Sequence, residues 1–348
     1  DRQGVTGEAV MRLAIATDAW APQVNGVVRS LTETAKSLAN HGIAVDFVTP
    51  EGLPSWPLPT YPDIRLAIGA GAAIPARLDA LRPDALHIAT EGTVGHAARR
   101  WALSRGLPFT TSYHTRYPEY VRARAPIPEA LTYAWLRRFH APAVRTMVPT
   151  ETMRRELSGW GFANLSIWTR GVDTALFHPR GEVAVDWPRP IMLSVGRLAV
   201  EKNLEALLSL DLPGTMLVVG DGPQRADLER RFPGTVFLGV RTGEALAKVY
   251  ATADVFVFTS RTDTFGNVMQ EALACGVPVA AFPVPGPLDV ITDPAVGALD
   301  EDLAAAIRRA LRLDRGACRT LAESRSWDAA AGQFAAALAP FPPAARAA

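Results

Sequence analysis

The sequence has little cysteine. Of its 348 residues only Cys275 and Cys318 are cysteines, and neither belongs to a CxxC motif or a Cys/His cluster. A disulfide framework or a zinc site is therefore not expected, whereas a reducing compartment suits this composition. No apolar run approaches the ~18 residues that a bilayer-spanning helix needs, and the start DRQGVTGEAVMRLAIATD has no signal-peptide pattern. We expect a cytoplasmic protein that at most rests on a membrane.

Net charge is also small. The 36 basic and 35 acidic side chains leave a formal charge of +1, which argues against a nucleic-acid binder that relies on a strong positive field. Lysine is limited to Lys36, Lys202 and Lys248. Residues 99–155 nevertheless contain eleven arginines and only three acidic residues. This segment is either a set of solvated helix faces or a patch that meets anionic lipid headgroups or an anionic substrate.

Short apolar runs alternate with helix-like segments along the chain. One series extends from 12–17 to 147–150, and a second begins at 190–195 and continues to 277–281. The stretch 50–62 is rich in proline and is predicted as a loop. Alternation of this kind is typical of parallel sheets covered by helices. The predicted fold class is α/β, with two Rossmann-like domains in tandem and a cleft between them.

The predicted domains are 1–168, 169–326 and a C-terminal segment, 327–348. The last segment has apolar residues at helical spacing, namely Trp327, Ala331, Phe334 and Leu338. Such a helix needs an apolar surface to pack on. We expect it to return to the first domain.

Two cations follow the first strand of the second series. Gly196 comes directly after that strand, and Arg197 and Lys202 lie in the loop that opens the next helix. Fixed cations beside helix-terminal amides suit a diphosphate, because both can bond its oxygens. In the alternative interpretation they pair with Glu201 and Glu205 on the surface. Their position at a strand end favours binding.

The segment SRTDTFGNVMQEALACGVP, residues 260–278, is predicted as strand end, turn and helix. Asp263 lies at the carboxyl end of the strand and Glu271 about one turn into the helix. Ligands of open α/β sheets bind at that edge, and a carboxylate accepts hydrogen bonds from the paired hydroxyls of a sugar or a ribose. Alternatively, Asp263 is an ordinary helix N-cap and Glu271 a solvated helix residue.

The first domain offers weaker signals. Gly26 opens a helix and would let the backbone approach an anion, but the surrounding loop is not the GxGxxG of a dinucleotide site. His114 follows another predicted strand. A lone histidine is more often structural than catalytic, so the residue types alone leave its role open.

Together these motifs resemble those of the retaining nucleotide-sugar glycosyltransferases of family 4, which have the two-domain GT-B fold. The resemblance covers nearly the whole chain. Its six elements, in order, are PQVNGV at 22–27, SYHT at 112–115, RGVD at 170–173 with FHP at 177–179, GR at 196–197 with EKN at 201–203, GDGP at 220–223, and two acids at 263 and 271.

The resemblance implies roles at the donor. Arg197 and Lys202 match the pair that holds the donor diphosphate in place of a metal ion, and Gly26 matches a glycine that closes on the same phosphates. Glu271 matches the carboxylate that binds the ribose, and Asp263 the one that binds the transferred sugar. The family usually has glutamate at 263, so the shorter aspartate implies a shifted sugar or another donor preference.

The remaining implied roles concern the sugar and the acceptor. His114 matches the active-site histidine that meets the sugar, and Asn25 and Tyr117 would contact the acceptor. The backbone amides that would hold sugar and phosphate are those of Phe265, Gly266, Asn267 and Val268. The resemblance implies no cofactor and no metal ion.

The acceptor is implied to bind in 1–168 and the donor in 169–326. The sequence is similar to bacterial mannosyl- and sulfoquinovosyl-diacylglycerol enzymes, which implies transfer of a hexosyl unit from a UDP- or GDP-sugar to a membrane lipid. It also implies a protein peripheral on the inner membrane, touching it through the first domain. Alternatives are a soluble or polysaccharide acceptor, an epimerase or phosphorylase of the same fold, and a non-catalytic nucleotide-sugar-binding protein.

Overall fold

The computed structural model describes residues 10–20, 26–58, 61–122, 127–180, 186–263 and 265–343. The chain divides into two compact units, Asp1–Thr169 with Trp327–Ala348, and Arg170–Ser326. We call them the N-terminal unit and the C-terminal unit. Within the described ranges, no helix has both the length and the apolar character needed to cross a bilayer.

The N-terminal unit is built on a six-stranded parallel sheet of order β2-β1-β5-β6-β7-β8, beside a separate antiparallel pair, β3-β4. Its strands are β1 (Met11–Ala16), β2 (Ile43–Val48), β3 (Ser55–Leu58), β4 (Tyr61–Ala67), β5 (Ala85–Ile88), β6 (Thr110–Ser112), β7 (Arg145–Val148) and β8 (Leu165–Ile167). Its first six helices are α1 (Gly26–Leu38), α2 (Ala70–Leu81), α3 (Thr93–Ser104), α4 (Tyr117–Arg122), α5 (Glu129–His140) and α6 (Glu151–Gly159).

The C-terminal unit is built on a second six-stranded parallel sheet, of order β11-β10-β9-β12-β13-β14. Its strands are β9 (Ile191–Val195), β10 (Thr215–Val219), β11 (Val236–Phe237), β12 (Val255–Phe258), β13 (Val279–Ala281) and β14 (Gly297–Leu299). Its helices are α7 (Glu205–Leu208), α8 (Arg225–Arg231), α9 (Gly243–Thr252), α10 (Asn267–Ala274), α11 (Pro287–Val290), α12 (Leu303–Ala310) and α13 (Arg315–Glu323). The predicted α/β class with two parallel-sheet domains is thereby confirmed.

The last helix, α14 (Trp327–Ala337), belongs to the core of the N-terminal unit. On β1, Leu13 and Ile15 point to one face of the sheet, where they join a buried cluster with Leu31 of α1 and Phe334 of α14. Alternate residues of a strand face opposite sides, so the neighbouring alanines of β1 join the cluster of α2 and α3 instead. Helix α14 therefore covers one face of this sheet together with α1.

The prediction of a loop at 50–62 was wrong in part. This stretch contains β3 and the start of β4, which form an antiparallel pair in which Trp56 lies opposite Leu66. Arg65 ties the pair by donating hydrogen bonds to the hydroxyl and the carbonyl of Ser55, at 2.7 and 3.0 Å. Proline is tolerated in such a strand because this two-stranded sheet consists of edges. The prolines masked the strand signal in the sequence.

Candidate functional site

The loop after β9 is held in place by the loop after β10. A Cβ atom on Gly220 would lie 1.8 Å from the carbonyl oxygen of Gly196, and one on Gly222 would lie 2.5 Å from that of Leu198. Only glycine allows this approach. The GDGP motif at 220–223 therefore packs on the loop that carries Arg197.

The end of β12 fixes the turn that carries Lys202. The hydroxyl of Thr259 donates a hydrogen bond to the carbonyl of Lys202, at 2.6 Å, and the hydroxyl of Ser260 donates to that of Glu201, at 3.3 Å. Asn203 closes the turn in the left-handed conformation and donates from its side chain to the carbonyl of Thr259, at 3.3 Å. Two strand ends thus position one ammonium group.

Lys202 forms an ion pair with Asp263. Its Nζ lies 2.6 and 2.7 Å from the two carboxylate oxygens, and the two side chains are 29% and 15% exposed. Glu205, the alternative partner suggested by the sequence, pairs with Arg231 instead. The structure therefore brings one of the predicted phosphate-binding cations together with the predicted sugar-binding carboxylate.

Asp263 does not cap a helix. Helix α10 begins at Asn267, and its N-cap is Gly266, which has a φ of +87°. A Cβ atom there would lie 2.8 Å from Cε of Met269 and 2.9 Å from a ring carbon of Phe258. The position needs glycine for both reasons, and Asp263 is left on the connection between the strand and the turn.

Near this turn, the side chain of Phe265 is buried in the core of the C-terminal unit, and Val268 packs against the same core. At Phe265 any ligand contact is therefore through the backbone. The first N–H groups of a helix have no partner within it, which makes the start of α10, at Asn267, suited to an oxygen-rich ligand.

Glu271 is not a solvated residue. It lies in the second turn of α10 and is 2% exposed. Its charge contributes, after burial itself, to the raised pKa of about 12 of the Cys275 thiol. The neighbouring Gln270 is also buried and donates a hydrogen bond to the carbonyl of Arg170, at 2.8 Å. Arg197, between β9 and Lys202, is half-buried.

In the N-terminal unit, Gly26 is the exposed first residue of α1, and Asn25 lies outside the described residues. His114 follows β6; its Nε2 lies 2.8 Å from the hydroxyl oxygen of Ser112. Tyr117 begins α4 and is half-buried against the core. His114 and Tyr117 therefore lie between β6 and the first residue of α4, whereas Gly26 follows β1, two strands away in the sheet order.

Sequence reasoning missed the ion network that anchors this loop. The buried guanidinium of Arg116 donates to Glu119, at 3.1 Å, and to Glu156. The hydroxyl of Tyr133 also donates to Glu119, at 2.9 Å. Burial raises the pKa of Glu119 and that of Tyr133. The network joins α4, α5 and α6. No local sequence pattern predicts it, because Arg116 and Glu156 are far apart in sequence.

A cavity of about 500 Å³ lies beside α3 and α5. Its polar lining includes Glu91, His96 and Arg100, and the indole of Trp135 forms part of its wall. The rings of His96 and Trp135 are 5.7 Å apart. Burial, followed by the positive charge of a neighbouring arginine, lowers the pKa of His96, so its ring is neutral at neutral pH.

An exposed apolar row leads away from this cavity. Ile127, Leu131 and Trp135 recur every four residues, along α5 and the residues before it, and are 42%, 64% and 47% exposed. Residues four apart lie on one face of a helix, which places Leu131 and Trp135 together on α5, whereas Ile127 lies two residues before the helix begins. Trp135 belongs to both the row and the cavity wall, so a polar recess and an apolar strip meet at one side chain.

Comparison with known proteins follows the division into units. The sequence profile described as Glycosyltransferase Family 4 matches residues 24–176, and that described as Glycosyl transferases group 1 matches 189–313. A GDP-mannose-dependent alpha-mannosyltransferase of Mycobacterium tuberculosis is 34% identical over 318 residues, which cover 83% of this chain and 83% of that protein.

Two other relatives are a sulfoquinovosyl transferase of Arabidopsis thaliana and an alpha-monoglucosyldiacylglycerol synthase of Streptococcus pneumoniae. The first is 33% identical over 71% of this chain and 52% of its own length. The second is 27% identical over 86% of this chain and 78% of its own length.

Solved structures agree in fold. A sucrose-phosphate synthase from Thermosynechococcus elongatus matches with a TM-score of 0.75 at 22% identity, over 94% of this chain and 98% of that one. HepE of Anabaena, in complex with UDP and glucose, matches with a TM-score of 0.70 at 16% identity, over 94% and 98%. The resemblance read from the motifs is confirmed, and the chain belongs to the nucleotide-sugar glycosyltransferases of family 4, with the GT-B fold.

Proposed function

We propose that the protein is a retaining, metal-independent glycosyltransferase that moves a hexosyl unit from a UDP- or GDP-sugar to a hydroxyl of a membrane lipid such as diacylglycerol. The observation that carries the proposal is the ion pair of Lys202 and Asp263 at the carboxyl edge of the second sheet. In this proposal the ammonium of the pair binds phosphate and the carboxylate binds sugar hydroxyls. The named donor of the mycobacterial relative is GDP-mannose.

The charge that develops on the leaving diphosphate explains why cations such as Lys202 and Arg197 would be needed there. Breaking the bond between the anomeric carbon and the diphosphate oxygen leaves positive charge on the sugar and negative charge on the phosphate. A cation fixed before the reaction stabilises this transition state without further reorganisation. Asp263 holds Lys202 in place, and Arg197 of the same loop would add the second cation. The three N–H groups of the ammonium can bond carboxylate and phosphate together.

The proposed retaining course needs only donor, acceptor and the departing diphosphate. The acceptor hydroxyl attacks the anomeric carbon from the face that the diphosphate leaves, and its proton passes to the departing phosphate oxygen. One C–O bond forms and one breaks, so no group on the protein needs to form a covalent intermediate. In this scheme Asp263 binds hydroxyls of the transferred sugar, and His114 contacts the same sugar. Glu271 binds the ribose. The backbone amides of 265–268 bind sugar and phosphate.

The acceptor proposal rests on the cavity beside α3 and α5 and on the apolar row that meets it at Trp135. A diacylglycerol has a polar hydroxyl end and long apolar chains, which match a polar recess joined to an apolar strip. Exposed arginines near the row, such as Arg138, would attract an anionic membrane surface. One relative, by its name, makes a glycosylated diacylglycerol.

A donor screen tests the reaction. The purified protein is incubated with UDP- and GDP-sugars, against lipid extract and soluble sugars in parallel, and products are detected by mass spectrometry. We expect one sugar added to lipid, with the anomeric configuration of the donor by NMR. An inverted product would contradict the retaining course. Products formed only from soluble sugars would contradict the lipid acceptor, and nucleotide binding without any product would point to a non-catalytic protein.

The apolar row makes a prediction of its own. Leu131→Glu should reduce transfer to diacylglycerol in anionic vesicles about 10- to 100-fold, because burial of one leucine contributes about 1.5–3 kcal/mol and each 1.4 kcal/mol is a factor of about ten. Transfer to a short-chain, water-soluble diacylglycerol should change much less. Val240→Glu is the matched control, since Val240 is an exposed apolar residue of the C-terminal unit. Equal losses with both acceptors would contradict a role in membrane contact.

A further inference from the structure

A chain of hydrogen-bonded side chains runs inward from His114. Its Nε2 lies 2.8 Å from the hydroxyl oxygen of Ser112. That oxygen lies 3.1 Å from Nε2 of His87, and Nδ1 of His87 lies 2.9 Å from the hydroxyl oxygen of Thr110. The last three residues are fully buried, at 0% exposure. The group assigned to the sugar is thus connected to polar atoms that solvent does not reach.

The sheet explains why these atoms meet. β5 and β6 are parallel neighbours in which His87 lies opposite Thr110. Thr110 and Ser112 are two residues apart on β6 and therefore face the same side. The imidazole of His87 spans the distance between their hydroxyls. An apolar residue at position 87 would fill the space but leave both hydroxyls without this partner.

Aromatic rings enclose the chain. The ring of His87 packs edge-on against Phe334 of α14, with centroids 4.7 Å apart. Trp168 packs edge-on against Phe334, at 4.8 Å, and against His114, at 5.5 Å. The rings of Phe334 and Trp168 limit rotation of both imidazoles. The low local dielectric strengthens the hydrogen bonds that join the imidazoles through Ser112.

We infer that Ser112 and His87 are positioning residues that set the ring orientation and the tautomer of His114. The inference rests on the proposed function, because that proposal assigns His114 to the donor sugar. Ser112 has one hydroxyl proton, which it can donate to one of three acceptors: either imidazole Nε2 or, at 3.5 Å, the carbonyl oxygen of Ala89. Each Nε2 that does not accept this proton must carry its own proton to bond Ser112.

The tautomer of His114 is consequently decided at Ser112. A neutral imidazole has one N–H donor and one acceptor nitrogen. Whichever role Nε2 takes toward Ser112, Nδ1 takes the opposite one. His87, whose Nδ1 is engaged by Thr110, biases this choice from a distance. Nδ1 of His114, the nitrogen that would bond a sugar hydroxyl, is thereby fixed as a donor or as an acceptor before the sugar binds.

The opposite face of β6 supplies a matched control. There Thr111 bonds to the hydroxyl of Thr146, at 3.0 Å, and to Nδ1 of His140, at 2.9 Å. Thr146 is as deeply buried as Ser112, and β6 and β7 pair at this position. Thr146→Ala therefore removes a comparable hydroxyl from the same sheet without removing an atom that contacts His114.

The test compares Ser112→Ala, Ser112→Thr and Thr146→Ala in the full-length protein. Ser112→Ala should lower kcat about tenfold while the KM for the nucleotide sugar changes less than twofold. Ser112→Thr should restore most of kcat because it keeps the hydroxyl. Thr146→Ala should keep kcat near that of the unaltered protein. The same kcat loss in Thr146→Ala would mean that Ser112 acts only through stability and would overturn the inference.

A second readout does not depend on activity. In protein labelled with ¹⁵N-histidine, the ring nitrogens of His114 should report one tautomer, which becomes mixed or reversed in Ser112→Ala and in His87→Phe. Signals of His114 are identified by their loss in His114→Gln. An unchanged tautomer in both variants would overturn the inference. Full transfer by His114→Ala would instead refute the role of His114 in the proposed function, and the tautomer measurement would still decide the positioning by Ser112.

Discussion

Replacing Lys202 with alanine should lower kcat about 10²- to 10³-fold, the range for loss of one preorganised group that stabilises developing negative charge. The ammonium is held by both oxygens of Asp263 and by a turn fixed from β12. It is therefore in place before the reaction begins. The measurement is steady-state kinetics with the donor found by the screen, at saturating acceptor.

Lys248→Ala is the control for this experiment. Lys248 is an exposed residue of α9 in the same unit, so the substitution makes the same change in charge away from the proposed site. It should keep kcat near that of the unaltered protein. A Lys202→Ala variant with full kcat would show that the diphosphate is held elsewhere, and the role of its ion pair with Asp263 would then be structural.

Replacing Glu271 with glutamine should weaken the binding of the donor's nucleoside diphosphate about 10- to 100-fold. A hydrogen bond to a charged group contributes about 1.5–3 kcal/mol, and the amide keeps the shape of the buried side chain while removing its charge. The measurement is titration calorimetry with UDP and with GDP. Because the side chain is 2% exposed, the melting temperature of each variant is recorded as well.

Glu323→Gln is the matched control for Glu271. Its carboxylate lies on the surface of α13 in an ion pair with Arg319, and such exposed pairs contribute little. Its affinity for nucleoside diphosphate should equal that of the unaltered protein. If Glu271→Gln binds with the same affinity while remaining folded, the proposed contact with the ribose is wrong.

The fold could be predicted where burial imposes one pattern. The second predicted series of apolar runs, from 190–195 to 277–281, includes 215–219 and 255–258, which form β10 and β12. Such runs are visible in the sequence because a strand buried on both faces is apolar throughout. The pair of β3 and β4 was missed because prolines interrupt its pattern. The short β14 was also missed, since three residues do not establish a period.

The candidate site could be predicted to the level of strand ends. Parallel strands bring their carboxyl ends to one edge, which is why Lys202 and Asp263 were expected near one ligand. Their direct ion pair was not expected, because side-chain partners distant in sequence leave no local signal. The same holds for Ser112 and His87, where the sequence showed a histidine and a hydroxyl but not the packing that joins them.

Because α14 belongs to the N-terminal unit, the order in which the two units can be completed differs from the order in which they are synthesised. Residues 170–326 are contiguous, so the C-terminal unit can close as soon as it leaves the ribosome. The N-terminal unit is made first, yet its cluster around Leu13 stays open until Phe334 arrives. Domains generally fold as units during synthesis. The unit that is synthesised first is therefore completed last, because α1 alone is available to cover this face of its sheet until α14 has been translated.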